Sequence, residues 1–203
     1  NPDGLFSNDF IFHVAKNAEA AANLKRRTDR EHTDVREVLA KAVAKGDLGE
    51  IKEILTGGRQ LQLGSLTNRQ AVSRINARSR REGKTPLSDA SLHGHVEVVK
   101  FLIERGANVK AANRDGNTPL HAAAFMCRSE IVQLLLDKGA SPLAKNKRGE
   151  TSIKVVSSPW TRELADFYSG IGKRAGFKVD LKRIERERPQ IVKLLQKNVA
   201  KSK

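Results

Sequence analysis

The sequence predicts an all-α solenoid of about four stacked helix–turn–helix repeats, and two features of its patterning lead to that fold class. The residues at 83–87 recur at 116–120, and more weakly at 149–153, so that the first glycine of each copy is 33 residues from the next. Apolar runs at 98–103 and 131–136 keep the same separation. Because self-similarity at a fixed period is typical of repeat architectures, each copy is predicted to be one unit of a stack.

The first helix of the two best-matched units is predicted to begin at a threonine followed by a proline. Thr85 and Thr118 can each accept a main-chain N–H with the side-chain oxygen, and proline suits the first helical position, where no N–H is needed. The second helix carries an apolar stripe of helical period, at 98–103 in one copy. Gly106 and Gly139 then supply the left-handed residue that ends it. Since one helix pair cannot bury its apolar face alone, stacked copies have to share a core.

These residues resemble the ankyrin repeat, whose pattern combines a turn glycine, Thr-Pro-Leu-His, two alanines and a Gly-His pair before the second helix. The copy at 116–140 carries Thr-Pro-Leu-His-Ala-Ala-Ala at 118–124, and the copy at 83–107 carries Gly-His at 94–95. The resemblance extends over about 34–199. It implies stacked helix pairs with projecting turn and finger loops, and a function in binding other proteins.

Two departures from the family pattern stand out. Ser88 replaces the motif histidine in one copy, and Cys127 and Arg128 replace the Gly-His pair in the next. If the backbone at Cys127 kept the left-handed conformation that Gly94 would adopt, the cost would be about 1–2 kcal/mol. We therefore expect a locally altered loop at this position.

The chain is expected to divide around the repeat region. Residues 1–33 do not repeat, and they are either a helical extension or the remnant of an upstream region. The ankyrin-like region follows at 34–199, and a basic tail occupies 200–203. Within the region we expect an N-terminal capping repeat at 34–58, an extended basic finger loop at 59–82, repeats at 83–115 and 116–148, and a C-terminal capping repeat with an insertion at 149–199.

Two of these segments carry more detailed expectations. In the finger loop, a short helix is expected from about 68 to 78. In the C-terminal capping repeat, 160–186 is interpreted as the insertion and 189–199 as the outer helix that closes the solenoid. Trp160 and Tyr168 are expected to pack against that helix, because an aromatic residue in a cap is more often part of the core than of a ligand site.

The composition excludes several classes of protein. A chain of 203 residues with a single cysteine, Cys127, has neither a disulfide framework nor a cysteine-based zinc site. No apolar run approaches the roughly 18–20 residues that a membrane span needs. The chain begins at Asn1 without an initiator methionine or a visible signal peptide, as a processed chain or a fragment would. The compartment stays open, and the single cysteine favours a cytoplasmic location.

The net charge of +15 is concentrated in two short segments. Residues 66–84 hold six basic side chains and one acidic, and residues 172–203 hold eleven and three. Clustered positive charge favours an acidic partner or a phosphate backbone, whereas the simpler interpretation is a solvated surface. Nucleic-acid binding through these two segments is therefore the alternative function, although base-stacking aromatic residues are missing from both apart from Phe177.

No phosphate-binding loop or catalytic constellation is visible, and we expect no enzymatic activity, no cofactor and no metal. His93 and His95 lie two residues apart, which does not place both on one helix face, and they match structural positions of the repeat. Cys127 has His121 six residues before it, but neither an orienting group nor an oxyanion pocket is apparent. The cysteine is interpreted as a packing residue or a loop thiol.

The expected function is the binding of a partner protein by a rigid surface of short helices and turn tips, in a chain that is itself monomeric. Phe125 and Met126 are expected to form its apolar anchor, since large apolar groups dominate binding energy. The alternative is that Phe125 packs on the next repeat. Basic residues at successive turn tips would select an acidic partner. Matching the chain to the family's variable surface implies partner-binding roles for Arg81, Glu82, Lys84, Leu92, His93, Arg114, Asp115, Asn117, Phe125, Met126, Lys147, Arg148 and Glu150.

Overall fold

The structure, a computed structural model of the chain, describes residues 36–56, 74–79 and 82–201. The expected N-terminal extension at 1–33 lies outside the described residues, and so do most of the finger loop and the end of the basic tail.

Contacts divide the chain after Val38 into two units, and the helix pairs belong to the second, residues 39–203. Within the described residues no strand is present, and a single β-bridge pairs Lys145 with Thr151. The helices in chain order are α1 (36–45), α2 (Leu48–Thr56), α3 (Pro86–His93), α4 (Val96–Glu104), α5 (Pro119–Phe125), α6 (Ser129–Asp137), α7 (Ser152–Ser157), α8 (Arg162–Ala175) and α9 (Leu181–Lys201).

The helices are arranged as pairs in two rows. α3 pairs with α4, α5 pairs with α6, and α9 packs on α7 to complete a third pair. α3, α5 and α7 contact one another in sequence to form the first row, and α4, α6 and α9 form the second row. α1 and α2 precede these pairs, and Nε2 of His95, at the start of α4, hydrogen-bonds the main-chain oxygen of Ala44 over 2.9 Å. This arrangement is the predicted all-α solenoid of about four helix pairs.

Threonine caps begin the first-row helices as the sequence predicts. Thr85 Oγ1 accepts the main-chain N–H of Ser88 over 3.2 Å, and Thr151 Oγ1 accepts that of Lys154 over 3.3 Å. α3 and α5 both have proline at the first helical position. α3 ends at Gly94, which adopts the left-handed conformation with a φ of 92°. Glycine adopts this conformation without a steric penalty, so the turn into α4 is unstrained there.

The altered loop expected after α5 is absent, and that prediction is wrong. Cys127 takes the place of Gly94 and keeps the left-handed conformation, with a φ of 50°. The main-chain N–H groups of Cys127 and Arg128 donate to Ala124 and Ala123 over 3.0 and 2.9 Å, which closes the turn. The conformation costs about 1–2 kcal/mol for a residue with a side chain. Burial of the Cys127 side chain, which is 0% exposed, offsets part of that cost.

The core is built from apolar residues of both rows. The second-row stripes predicted from the periodicity are buried in both copies except at Ile103 and Leu136, which are half-buried, and Leu102 and Leu135 are inaccessible to solvent. Ala123 and Ala124 of α5 are also fully buried, and their small side chains allow neighbouring helix pairs to approach closely. The N-terminal pair buries Leu39, Val43 and Ile51, leaves Val38 exposed, and exposes its lysines, among them Lys41. The exposed lysines give the end of the stack the polar face that terminal repeats need.

The described part of the finger loop is docked on the repeats. The expected helix at about 68–78 is wrong at its C-terminal end, because the described residues are helical only at 74–75. The guanidinium of Arg74 donates to a main-chain oxygen of α2 over 3.4 Å, and that of Arg78 donates to the main-chain oxygen of Ala112. Two basic residues of this segment therefore stabilise the stack by bonding main-chain carbonyl groups.

The C-terminal capping repeat differs from its expected boundaries. α9 begins at Leu181 and not at Pro189, so 181–186 belong to the closing helix and not to the insertion. The side chain of Asp180 accepts the main-chain N–H of Arg183 over 3.0 Å and caps the helix. Pro189 lies exposed inside the helix. Because proline prefers the first turn of a helix, the sequence predicts a start at Pro189, which is eight residues too late. Aspartate is a strong helix cap, and Asp180 sets the observed start.

α8 fills the segment expected to be an insertion. The side chain of Thr161 accepts the main-chain N–H of Leu164 over 3.2 Å at its start, and the left-handed Gly176 ends it. Of the helices in the described residues, none is long and apolar enough to cross a membrane.

Candidate protein-binding surface

Successive turns before the first-row helices are joined by main-chain hydrogen bonds. We define the tip ridge as residues 82–84, 114–117 and 147–150. The N–H of Arg114 donates to the main-chain oxygen of Glu82 over 2.9 Å, and that of Lys147 donates to Asp115 over 2.8 Å. Because each tip is bonded to the next, the backbone of the ridge is fixed before a partner binds, and little conformational entropy remains to be lost.

Asparagine side chains hold the shape of the second and third tips. The Oδ1 atoms of Asn113 and Asn146 each accept the main-chain N–H groups of the residues two and four positions further on, over 2.8–3.0 Å. Gly116 has a φ of 82°, and a Cβ atom there would lie 2.8 Å from a main-chain nitrogen of the next tip. The close approach of neighbouring tips therefore requires glycine at this position.

The side chains of the tip ridge are accessible but nearly balanced in charge. Lys84 forms an ion pair with Glu82, and Arg148 Nε lies 2.9 Å from Glu150 Oε2. A hydrogen bond from Asn146, together with Arg148, holds the pKa of Glu150 below its ordinary value. The ridge holds four basic and three acidic side chains, so it is less basic than the turn residues alone indicate. Its exposed charged members are Glu82, Arg114, Asp115, Lys147 and Arg148, and its half-buried polar members are Lys84, Asn117 and Glu150.

A buried histidine couples α5 to the tip that precedes α7. Nδ1 of His121 accepts the main-chain N–H of Thr118 over 3.2 Å, and Nε2 lies 3.1 Å from the main-chain oxygen of Glu150. Burial lowers the pKa of His121, which favours the neutral imidazole that accepts at Nδ1 and donates at Nε2. Ser88, which stands in its place one repeat earlier, bonds only within its own turn, to Thr85. The histidine therefore links neighbouring repeats and does not face a partner.

The expected apolar anchor is covered by the C-terminal helices. Met126 is 0% exposed, so the prediction that it contacts a partner is wrong. Phe125 is half-buried, since its ring stacks on Tyr168 with centroids 4.5 Å apart and meets the edge of Phe167 at 6.1 Å. The O–H of Tyr168 also donates to the main-chain oxygen of Phe125 over 2.7 Å. Phe125 thus packs within the protein, and α8 is the element that covers it.

Two arginines of α9 hold this cover in place. Arg183 donates to the main-chain oxygens of Met126 and Cys127 over 3.0 and 2.8 Å, at the end of α5. Arg188 is 5% exposed, and it donates to the Tyr168 hydroxyl over 2.9 Å and to a main-chain oxygen beyond α7 over 2.6 Å. From the sequence alone, Arg183 and Arg188 contribute only to the basic charge of the C-terminal segment. The sequence does contain one indication of the buried role of Arg188, since this residue lies on the same side of α9 as the apolar residues Ile184 and Ile191.

The expected packing of the two unique aromatic residues against the closing helix is confirmed. The rings of Trp160 and Tyr168 are 5.8 Å apart, and the guanidinium of Arg188 lies 5.8 Å from the Trp160 ring. Burial raises the pKa of Tyr168 to about 12 and that of Cys127 to about 11. At neutral pH the Cys127 thiol is therefore protonated and weakly nucleophilic, which fits a packing residue.

The remaining predicted contact residues lie at the end of α3 and in the finger loop. Leu92 and His93 are half-buried, and the ring of His93 lies 4.9 Å from Phe177 and 5.8 Å from His95. Arg81 lies outside the described residues. Within the described ranges, no group of three or more His, Cys, Asp or Glu side chains is placed to hold a metal ion.

Comparisons with known proteins agree with this architecture. A family model described as ankyrin repeats, in three copies, matches residues 39–146, more than half of the chain. The comparison with curated proteins gives no match.

Proposed function

Because the chain belongs to the ankyrin-repeat family, whose repeats are generally protein-interaction modules, we propose that it is a non-enzymatic module that binds a partner protein with an acidic surface. Its contact surface is the tip ridge together with Leu92 at the end of α3. Phe125 and Met126 are left out of this surface because the C-terminal helices cover them.

The main-chain hydrogen bonds between successive tips are the observation that carries this proposal. They fix three neighbouring turns relative to one another, at 2.9 Å between the first and second and 2.8 Å between the second and third. Five side chains of the tip ridge are nevertheless exposed. A fixed backbone with exposed side chains is the arrangement in which binding orders the fewest groups.

The polarity of the partner is inferred from individual charges on the ridge. Lys147 is exposed and has no carboxylate within 4 Å among the described residues, whereas Arg148 is paired with Glu150. An acidic partner is therefore attracted chiefly by Lys147 and is opposed by Asp115. Charges at the rim of an interface change the association rate more than the dissociation rate.

A site-specific photo-crosslinker tests the position of the surface. We expect p-benzoylphenylalanine in place of Lys147 to give a discrete protein adduct in cells. The matched control carries the same group in place of Lys138, an exposed lysine at the end of the second-row helix α6. The same adducts at both positions, or none at Lys147, would rule out the tip ridge as the contact surface.

Charge substitutions test the acidity of the crosslinked partner. We expect Lys147→Glu to weaken binding about tenfold and Asp115→Lys to strengthen it, with both effects reduced at high salt. Binding that responds to neither substitution, or in the opposite direction, would contradict an acidic partner.

The alternative function, nucleic-acid binding, was predicted for two segments. Most of the 66–84 segment lies outside the described residues, and its Arg74 and Arg78 bond main-chain oxygens of the repeats. The C-terminal segment has exposed basic residues on α9. These residues favour nucleic-acid binding at α9, as a function separate from protein binding by the tip ridge.

A further inference from the structure

The basic residues of the C-terminal segment are of two kinds. Arg183 and Arg188 point into the protein and bond α5, Tyr168 and the turn after α7. Seven others among the described side chains are exposed to solvent, and they supply most of the positive charge that the described part of the segment presents. These exposed residues are Lys173, Arg174, Lys178, Lys182, Arg186, Lys193 and Lys197.

Four of the exposed basic residues lie on one side of α9. Their separations along the chain are four, seven and four residues, so at about 100° per residue all four fall within an arc of about 60°. With a rise of about 1.5 Å per residue they extend along about 22 Å of the helix. We call this set the basic stripe, and its members are Lys182, Arg186, Lys193 and Lys197.

The charges of the basic stripe are largely uncompensated. Arg186 lies 3.8 Å from a carboxylate oxygen of Glu187, but its side chain is 74% exposed. The three lysines of the stripe have no carboxylate within 4 Å in the part of the chain that the structure describes. A terminal helix needs a polar outer face, but charges of either sign would provide it. A stripe of one sign instead produces a field that attracts polyanions.

The residues around the stripe decide which polyanion fits. The apolar residues Ile184, Ile191 and Leu195 of α9 are fully buried against the repeats, and no large apolar side chain is exposed among the stripe residues. Interfacial membrane helices insert an apolar face, and protein interfaces centre on an apolar or aromatic anchor. Contacts to a phosphate backbone need neither, since they consist of basic side chains and released counterions.

We propose that the basic stripe of α9 binds the phosphate backbone of a nucleic acid without reading its sequence. This function goes beyond protein binding by the tip ridge, and it uses a different helix. Each member of the stripe neutralises one phosphate, so the affinity depends steeply on salt.

Binding of the full chain to a fluorescent mixed-sequence DNA duplex, measured by anisotropy, tests this proposal. Four phosphate contacts give a slope of about −3.6 for log K against log salt. The affinity is then expected to fall about 100-fold between about 50 and 200 mM salt. No binding of the duplex at the lower salt concentration would overturn the proposal.

Two triple variants distinguish the stripe from net charge. Lys182→Gln, Lys193→Gln and Lys197→Gln together should reduce the slope to about −0.9, so that the same salt change weakens binding only about fourfold. The control removes the same charge from exposed lysines elsewhere in the fold and should keep the steep slope. It combines Lys41→Gln, Lys45→Gln and Lys138→Gln. Equal losses in both variants would show that overall charge, and not the stripe, binds DNA.

Competitors complete the test, with circular dichroism to confirm that both variants are folded. Poly-glutamate and phosphatidylserine vesicles should displace the duplex only weakly. If either binds the unmodified chain more tightly than the duplex does, and the triple variant of the stripe loses that binding, the stripe recognises acidic protein or membrane surfaces, and the nucleic-acid assignment is overturned. Lys147→Glu in the tip ridge should leave the binding of DNA nearly unchanged.

Discussion

Replacing Tyr168 with phenylalanine removes one hydroxyl from the contact between the C-terminal helices and α5. This hydroxyl donates to Phe125 over 2.7 Å and accepts from Arg188 over 2.9 Å. Tyr168 is 0% exposed and Arg188 is 5% exposed, so water cannot easily replace the lost partner. A neutral hydrogen bond contributes roughly 0.5–1.5 kcal/mol, and one to a charged group roughly 1.5–3 kcal/mol. We therefore expect Tyr168→Phe to lower the free energy of unfolding by about 2–4 kcal/mol.

Urea denaturation followed by tryptophan fluorescence measures this loss, because Trp160 is the only tryptophan in the sequence and its ring lies 5.8 Å from that of Tyr168. The melting temperature should fall by about 5–15 °C. Phe167→Leu is the matched control, since Phe167 is the adjacent residue and is 53% exposed, and it should cost less than about 1 kcal/mol. A Tyr168→Phe variant as stable as the control would refute the bridging role of the hydroxyl.

Glycine, thiol and histidine sites give three further predictions. Gly116 and Gly139 share a φ of 82°, but of these two only Gly116 has main-chain atoms close to the position of an added Cβ atom, at 2.8 Å. In urea denaturation, Gly116→Ala should therefore lower the free energy of unfolding by about 2 kcal/mol more than Gly139→Ala does. Equal losses would contradict the close approach of the tips. The buried Cys127 thiol should react with Ellman's reagent only after the protein unfolds. Because burial raises the pKa of Cys127 from 9.0 to about 11, the free energy of unfolding should fall as the pH rises through this range. Burial lowers the pKa of His121 from 6.5, so its contribution to stability is present above that pH and is lost on acidification below it. His121→Gln should therefore reduce the loss of stability in urea as the pH falls below 6.5, and an unchanged profile would exclude His121 as its source.

The repeats could be predicted because their signals are local and occur more than once. A threonine cap followed by proline, an apolar stripe and a terminal glycine each act within a few residues, and the 33-residue period aligns them between copies. Leu102 and Leu135 are equivalent in the sequence and are both fully buried. The stack follows because equivalent helix pairs bury the same face.

The covering of Phe125 and Met126 by α8 and α9 could not be predicted, because the contacts that produce it do not follow the 33-residue period. Met126 occupies a position that the resemblance makes available to a partner, but α8 and α9 bury it through contacts that span about 40–60 residues of sequence. Cys127 shows the same limit. Local sterics predict an altered loop, whereas the bond from Arg183 and burial of the side chain retain the left-handed turn.

Electrostatic predictions from the sequence depend on which charges the fold leaves unpaired. The basic residues of the turn tips, taken from the sequence, indicate a positively charged ridge. In the structure Lys84 and Arg148 are paired with acidic neighbours, and the net charge of the ridge is small. The sequence of the C-terminal segment is also basic. Arg183 and Arg188 form hydrogen bonds within the protein, whereas the three lysines of the basic stripe have no carboxylate partner among the described residues. Since an unpaired exposed charge attracts a counter-charge more strongly than a compensated one, the steepest salt dependence should belong to α9 and the weaker one to the tip ridge. Two surfaces that differ in this way can be separated by salt in a single chain, which makes the two proposed functions independently testable.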